Sequence, residues 1–150
     1  MKTGKRTKTL ALVGTLATAA AVVVGAGPAQ ADSSAAYTAA SICGSGYSPD
    51  AAYGSTSGLQ GGTIYVSYNG STDCAVLIKT SYVGTPSETW VYIALDSSGT
   101  GGYGGNQGPR DDGNFSSYAG PVYVYAPHTC IEVAGGTADN EIWESPVLCG

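Results

Sequence analysis

The sequence is poor in basic residues, has a single histidine, and lacks a closely spaced cysteine pair. Only six of its 150 residues are Lys or Arg, against eleven Asp or Glu. Because binding to nucleic acid relies on basic side chains at the phosphates, we expect this acidic protein to bind no nucleic acid. The four cysteines form no C-x-x-C pair, and one histidine adds little to a set of metal ligands. No zinc site and no other cofactor is therefore predicted.

The first 31 residues are predicted to be a secretion signal. Four of the six basic residues lie among the first eight positions, an apolar run follows over 10–25, and Ala29-Gln30-Ala31 supplies a small-x-small cleavage site. The apolar run is short and rich in Ala and Gly for a membrane span, and an uncleaved anchor helix is the alternative. We expect one secreted β domain over 32–150, extracellular and free of the membrane after cleavage.

Four cysteines in a secreted chain are typical of disulfide bonds. Cys43, Cys74, Cys130 and Cys149 allow three pairings. We favour Cys43–Cys74 and Cys130–Cys149, because each bond then closes the shorter loop around a predicted hairpin. Each bond would stabilise so small a domain by about 2–4 kcal/mol through restriction of the unfolded chain.

The clearest secondary structure predicted from the sequence is a β-hairpin. Ile64, Val66 and Tyr68 alternate with polar or smaller residues, so they would share one face of a strand. Residues 69–73 are typical of a turn, because Asn and Gly tolerate positive φ. The partner strand is predicted at 74–79.

Further short strands are predicted at 89–95, 122–125, 130–134 and 141–148. The first of these is apolar on both faces and is expected at the centre of a sheet. Gly135-Gly136 is expected to begin a turn, and Pro146 to mark an edge or an irregularity. Five or six short strands without helical periodicity predict an all-β fold, a small disulfide-stabilised antiparallel sandwich or open barrel.

Three segments are expected to lack regular structure. Residues 32–41 are rich in Ala and Ser without a convincing helix cap, which indicates a loose arm, with some helix as the alternative. Residues 44–62 are dense in Gly, Ser and Pro, as is typical of a loop. Residues 96–113 hold many glycines and scarcely a hydrophobic side chain, so we expect a mobile surface loop.

Several strings of the sequence together resemble one family of actinomycete proteins. They are CGSGY at 43–47, GTIYVSYN at 62–69, DCAV at 73–76, WVYI at 90–93, YAGPVYV at 118–124 and Cys149-Gly150. With the four cysteines, their order and spacing resemble the spore-associated protein A family over nearly the whole chain after residue 31. The resemblance implies a small secreted protein found with spores or aerial filaments. It implies no catalytic reaction and no functional residues beyond the cysteines.

Tyrosine is the residue type that points most directly to a binding function. Eleven Tyr and two Trp accompany a single Phe, and Tyr and Trp favour positions with one apolar and one hydrated side. If Val122 and Val124 face the core, Tyr123 and Tyr125 point outward together, and Tyr65 could join them on the same sheet face. This row is predicted to bind a spore or cell-wall surface component, although strand propensity alone also explains exposed tyrosines.

The candidate catalytic and metal-binding groups carry little signal. His128 could act as a general base, but no nucleophile motif accompanies it. Asp111 and Asp112 lie near two asparagines, but their spacing matches no known calcium-binding loop. Carboxylate pairs for glycoside hydrolysis could be drawn, as in any acidic chain, from Glu88, Glu132, Glu141 or Glu144. No catalytic and no metal site is predicted.

These observations favour a secreted, non-catalytic protein of the spore or cell surface that acts by binding or assembly through tyrosines and strand edges. Two alternatives remain open. A protease inhibitor would need a pre-organised exposed loop on a stapled scaffold. A cell-wall or glycan hydrolase would need His128 or a pair of carboxylates.

Overall fold

The fold comes from a computed structural model that describes residues 33–96 and 107–150. The predicted secretion signal, and residues 97–106 of the predicted mobile loop, lie outside the described residues. The described elements are helix α1 (Ser33–Cys43), a 3₁₀ turn (Ser55–Ser57), and strands β1 (Ser48–Tyr53), β2 (Gly62–Tyr68), β3 (Thr72–Lys79), β4 (Ser87–Leu95), β5 (Arg110–Phe115), β6 (Tyr118–Tyr125), β7 (Ile131–Thr137) and β8 (Glu141–Val147).

The strands form two four-stranded antiparallel sheets that enclose one apolar core. The first sheet has the order β1-β2-β3-β6, and the second has the order β5-β4-β7-β8. Side chains from both sheets meet in the core. Its largest fully buried members are Leu59, Ile64, Val66, Leu77, Val91, Ile93, Ile131 and Val133. The predicted all-β, disulfide-stabilised sandwich is confirmed, with eight strands in the described residues where five or six were expected.

The predicted hairpin and the predicted central strand are both confirmed. In the hairpin, Tyr68 lies opposite Asp73, and Asn69 Oδ1 accepts hydrogen bonds from the backbone N–H groups of Ser71 (3.1 Å) and Thr72 (2.9 Å). These bonds hold the turn. Strand β4 lies between β5 and β7, and its residues 89–94 are all buried, as expected of a strand covered on both faces.

The turn predicted at Gly135-Gly136 is wrong, because both glycines lie inside β7. A Cβ atom on Gly135 would lie 2.8 Å from Ile64 Cδ1, and one on Gly136 would collide with the indole of Trp90. Glycine occurs here because neighbouring side chains approach the strand backbone closely. The same residue type therefore marks tight packing where the sequence predicts a turn.

The loose arm predicted for 32–41 is instead helix α1. Its first turn has no acidic residue and its last turn has no basic residue, so charge at the helix ends contributes little. Packing stabilises it: Ala39 and Cys43 are buried against Tyr65 and Val76 on the outer face of the first sheet. Tertiary contacts commonly decide whether a short helix forms. No helix among the described residues is long and apolar enough to cross a membrane.

Two segments predicted as loops contain edge strands. Within 44–62, β1 pairs with β2 and has an irregularity between Pro49 and Ala51. At the end of 96–113, β5 pairs with β4, with Arg110 opposite Tyr92. Neither strand shows the apolar alternation that predicts strands, because backbone pairing to a well-packed neighbour stabilises an edge strand whose side chains are largely polar or small.

The predicted disulfide pairing is confirmed. Cys43–Cys74 joins the end of α1 to β3, and Cys130–Cys149 joins the residue before β7 to the segment after β8. Each bond fixes a peripheral segment to the sandwich and is expected to contribute about 2–4 kcal/mol.

The end of β3 carries a buried cation. Lys79 is 4% exposed, and its ammonium group donates hydrogen bonds to Thr85 O (2.9 Å), Ser87 Oγ (2.7 Å) and Phe115 O (2.9 Å). Three acceptors match the three ammonium protons, so the protein itself replaces the water that the charge loses on burial. The lysine thereby links β3 to the start of β4 and the end of β5.

Candidate functional site

The outer face of the first sheet, where the tyrosine row is predicted, is partly covered by α1. Tyr65 lies on this face beneath the helix, packed with Ala39, Cys43 and Val76, and is only 5% exposed. Including Tyr65 in an exposed binding row is therefore wrong. The alternation of β2 identifies the face on which Tyr65 lies, but it carries no information about the helix that covers that face.

Tyr123 and Tyr125 point outward from β6, as the alternation predicts. Val122 and Val124 pack against the core, whereas Tyr123 and Tyr125 are 41% and 67% exposed. The Tyr123 hydroxyl donates a hydrogen bond to the backbone carbonyl of Cys43 (3.0 Å). This bond ties the outer face of β6 to the end of α1.

Two further tyrosines extend this exposed surface. The rings of Tyr47 and Tyr123 lie 5.9 Å apart between centroids, and Tyr37 on α1 is 67% exposed. An open groove of about 350 Å³ follows the end of α1 and the turn after it, lined by Tyr37, Ala40, Ser41, Gly44, Ser45, Gly46 and Tyr47. We call this groove, together with Tyr123 and Tyr125, the tyrosine surface.

A second candidate site lies at one end of the sandwich. There the start of β3 and the end of β2 meet the connection from β6 to β7 and the segment after β8. They enclose a cavity of about 90 Å³ lined by Asp50, Tyr68, Asp73, Ala126, His128, Leu148 and Gly150. We call it the acidic pocket.

Asp73 is the deeply buried titratable group of the acidic pocket. It is 4% exposed, no described residue donates a hydrogen bond to its carboxylate, and its oxygens are not among the fully buried unpaired atoms. Burial, and to a smaller extent the charge of Asp50, raise the pKa of Asp73 from 3.8 to about 6. The sequence assigns Asp73 to a turn. Its alternation with Ala75 and Leu77, which are buried in the core, is the signal that places it on the inner face of β3.

His128, the candidate general base, lies at the rim of the same pocket. It is an exposed residue with φ of 53° in the connection between β6 and β7. The fold thus brings an imidazole, the Tyr68 phenol and two carboxylates to one cavity. Sequence reasoning misses Asp50, Tyr68 and Asp73, because these groups come from separate elements and no spacing motif joins them.

The candidate calcium residues, Asp111 and Asp112, contact different groups. Asp111 Oδ2 accepts a hydrogen bond from the backbone N–H of Gly120 (2.6 Å), whereas Asp112 Oδ2 accepts from Arg110 Nε (3.0 Å). Consecutive residues of a strand point to opposite faces, so these two carboxylates do not form a common ligand set. Over 33–96 and 107–150, no group of three or more His, Cys, Asp or Glu side chains could hold a metal ion.

The four candidate glutamates lie in different environments. Glu132 is fully buried on β7. The pKa of Tyr92 is raised chiefly by the burial of Tyr92 and to a smaller extent by the charge of Glu132. Burial chiefly, and then the charges of Glu144 and two aspartates, raise the pKa of Tyr53 to about 12. The exposed members of the set are Glu88 and Glu141.

The second sheet carries an aromatic cluster on its outer face. The Trp143 ring lies 5.9 Å from that of Trp90 and 5.7 Å from that of Tyr92, and the Arg110 guanidinium lies 3.8 Å from the centroid of the Trp90 ring. Trp90 and Tyr92 are 4% and 7% exposed. These aromatic side chains therefore serve packing, unlike those of the tyrosine surface.

Together, these features define a small two-sheet β-sandwich with two disulfides, an exposed tyrosine surface and an acidic pocket. The chain is 36% identical over 129 residues to spore-associated protein A of Streptomyces coelicolor, and the aligned region covers 83% of this chain and 74% of that protein. The chain therefore belongs to the spore-associated protein A family, which confirms the resemblance noted in the sequence. No family model matches the chain, and no solved structure matches it.

Proposed function

We propose that this chain is a secreted, non-catalytic protein of the spore or cell surface that binds a component of that surface through the tyrosine surface. Its relative in Streptomyces coelicolor is named for association with spores, which supports the location. The observation that carries the binding role is the exposure of Tyr123 and Tyr125 on a rigid support.

The support is rigid because several contacts fix it. The disulfide Cys43–Cys74 holds the end of α1 on β3, the Tyr123 hydroxyl is bonded to the Cys43 carbonyl, and the Tyr47 ring packs against that of Tyr123. Aromatic side chains that are already fixed lose little conformational entropy on binding. Tyrosine also offers both an apolar ring and a hydroxyl to a hydrated polymer surface.

The strand edges favour binding through side chains over assembly through strand addition. The four edge strands are β1, β6, β5 and β8. Three of them contain a proline, Pro49, Pro121 or Pro146, and β5 carries the charged Arg110 and Asp112. Proline lacks the N–H group that strand pairing needs, and charged side chains resist burial between sheets. These edges disfavour pairing with a second chain.

Hydrolysis is a weaker proposal for the same fold. The acidic pocket contains His128 and two carboxylates, but its volume of about 90 Å³ is well below the roughly 300–1,000 Å³ of typical ligand pockets. A cavity of that size does not enclose a sugar unit, so we propose binding without catalysis.

Retention on purified spores and on isolated wall material tests the binding role. The double variant Tyr123→Ser/Tyr125→Ser removes the two β6 rings that belong to the tyrosine surface, and we expect retention to weaken by about tenfold or more, as for aromatic contacts in other interfaces. A matched control is Tyr82→Ser/Tyr118→Ser, which removes two tyrosines that are 58% and 41% exposed and lie outside the tyrosine surface. The control should be retained like the wild type.

Equal retention of the Tyr123→Ser/Tyr125→Ser protein and the wild type would remove the tyrosine surface from the proposal. The non-catalytic part has a separate readout. Release of dye from labelled wall polymer by the wild type, lost in His128→Gln, would show hydrolysis instead.

A further inference from the structure

The carboxylate of Asp73 faces the acidic pocket and has no hydrogen-bond donor among the described residues. The residue is 4% exposed, yet its oxygens are not among the fully buried atoms left without a partner, so they reach the open space of the pocket. Carboxyl groups in such perturbed surroundings concentrate at functional sites. The pocket therefore has an unused acceptor aimed at a space that a bound molecule can enter.

The surroundings of Asp73 define the charge of that molecule. Asp50 adds a second carboxylate to the pocket, and no lysine or arginine lines it. Of the two basic residues in the described chain, Lys79 lies at the opposite end of β3 and Arg110 lies on β5. A half-open site with negative potential favours a positively charged donor, because charge-assisted hydrogen bonds are the strongest available there.

The shape and lining of the pocket define the kind of cation. The described residues provide no group of three or more His, Cys, Asp or Glu ligands for a metal ion. Ala126 and Leu148 give the pocket apolar walls, which suit alkyl carbons. A volume of about 90 Å³ accommodates an ammonium group with the first carbons of an unbranched chain.

We propose that the acidic pocket binds a primary alkylammonium group, whose N–H groups donate to the carboxylates of Asp73 and Asp50 while its carbons contact Ala126 and Leu148. A lysine side chain and a free aliphatic diamine both present this group. The site is separate from the tyrosine surface, since the two share no lining residue.

Titration of the disulfide-bonded protein with n-butylammonium chloride at pH 7.5 and constant ionic strength tests the proposal. We expect saturable changes in the amide NMR signals of 72–74 and 126–128, with Kd in roughly the millimolar range that so small a ligand permits. n-Butanol has the same carbon chain without the charge, and it should give no saturable change.

Two variants of equal net charge distinguish binding in the pocket from general attraction of a cation to an acidic protein. Asp73→Asn should weaken n-butylammonium binding roughly ten- to hundredfold, because it replaces a buried anionic acceptor by a neutral amide. Asp139→Asn removes the same charge at an exposed position and should leave the affinity within about twofold.

The pH dependence gives a readout that needs no variant. Asp73 has a pKa of about 6, so lowering the pH from 7.5 to 5 protonates its carboxylate and should weaken amine binding. The titratable groups that line the pocket with Asp73 or interact with it electrostatically are Tyr47, Asp50, Tyr53, Tyr68 and His128. The same loss must persist in His128→Gln, which lacks the imidazole at the rim of the pocket.

Equal affinity of Asp73→Asn and the wild type, saturable binding of n-butanol, or displacement of the amine by stoichiometric calcium would overturn the proposal. Tighter binding of Nα-acetyl-lysine amide would identify a side chain as the source of the group. Tighter binding of cadaverine would identify a free diamine. Either order supports the shared chemistry, and none of these results bears on retention through the tyrosine surface.

Discussion

Strand β3 carries a buried charge near each end, and the protein treats the two charges in opposite ways. The ammonium group of Lys79 has three acceptors at 2.7–2.9 Å. Asp73 as a residue is also 4% exposed, but its carboxylate faces the pocket, receives no hydrogen bond from the described residues and shares the pocket with a second carboxylate. One charge is solvated by the protein, and the other is left with its desolvation cost.

This difference indicates that the two charged residues have different roles in the protein. A buried ion with all its hydrogen-bond partners joins secondary-structure elements and rigidifies them. Removing those partners would leave the ion with a large uncompensated desolvation cost. A buried ion without partners lowers the stability of the native state, so its place in the fold has to be explained by something other than stability. Lys79 therefore belongs to the scaffold, whereas Asp73 is a candidate for the binding site proposed above.

The largest effect on stability is expected from replacing Lys79, the charge with three hydrogen-bond partners. Lys79→Met should lower the free energy of unfolding by about 3 kcal/mol, because it leaves three acceptors of a part-buried network without their charged donor. Urea unfolding at pH 7 measures this loss. The control is Arg110→Met, which also removes one positive charge but at a residue whose side chain is 43% exposed. It should cost only about 1 kcal/mol. Equal losses in the two variants would contradict the comparison.

Removing the charge of Asp73 should raise the stability of the protein, the opposite of the effect expected at Lys79. Between its ordinary pKa of 3.8 and about 6, the folded state holds a proton on Asp73 that the unfolded chain releases, so stability falls as the pH rises through this range. Asp73→Asn removes this loss and should raise the free energy of unfolding at pH 8 by about 2–3 kcal/mol relative to the wild type.

The measurement is the difference in unfolding free energy between Asp73→Asn and the wild type, from pH 3.5 to pH 8. The difference should grow between pH 4 and pH 7 and then stay constant. Asp139→Asn, the exposed control, should give a flat difference near zero. A destabilised Asp73→Asn protein at pH 8 would show that the carboxylate has a stabilising partner.

The smallest effect concerns the neighbour of Asp73. Because burial is the main cause of the raised pKa and Asp50 the lesser one, Asp50→Asn should lower the pKa of Asp73 by less than about one unit. Carbon-detected NMR titration of the Asp73 carboxyl carbon measures this change. A return of the pKa to its ordinary value in Asp50→Asn would assign the shift to charge repulsion.

The parts of the fold that could be predicted are those set by local pattern. Alternation over 62–79 predicts the hairpin, the two-sided apolar run of β4 predicts a central strand, and loop closure around hairpins favours the observed disulfides. The outward direction of Tyr123 and Tyr125 follows from the same alternation. Each of these depends on neighbours along the chain or on one strand pair.

The parts that could not be predicted depend on contacts between distant segments. Helix α1 forms where it packs on β2 and β3, and that contact also buries Tyr65. Strand β5 forms against β4 despite the polar character of Arg110 and Asp111. Asp73 follows a sequence typical of a turn, yet it faces a pocket that several separate elements complete. Sequence spacing does not encode such juxtapositions.

The bond between Cys43 and Cys74 also determines how firmly Tyr123 is positioned. The carbonyl that positions Tyr123 belongs to Cys43 itself, and the groove follows directly along the chain. Reduction of this bond would remove the covalent link between the end of α1 and β3. The Tyr123 hydroxyl would then lose the fixed position of its acceptor, and the groove would lose one of its fixed ends.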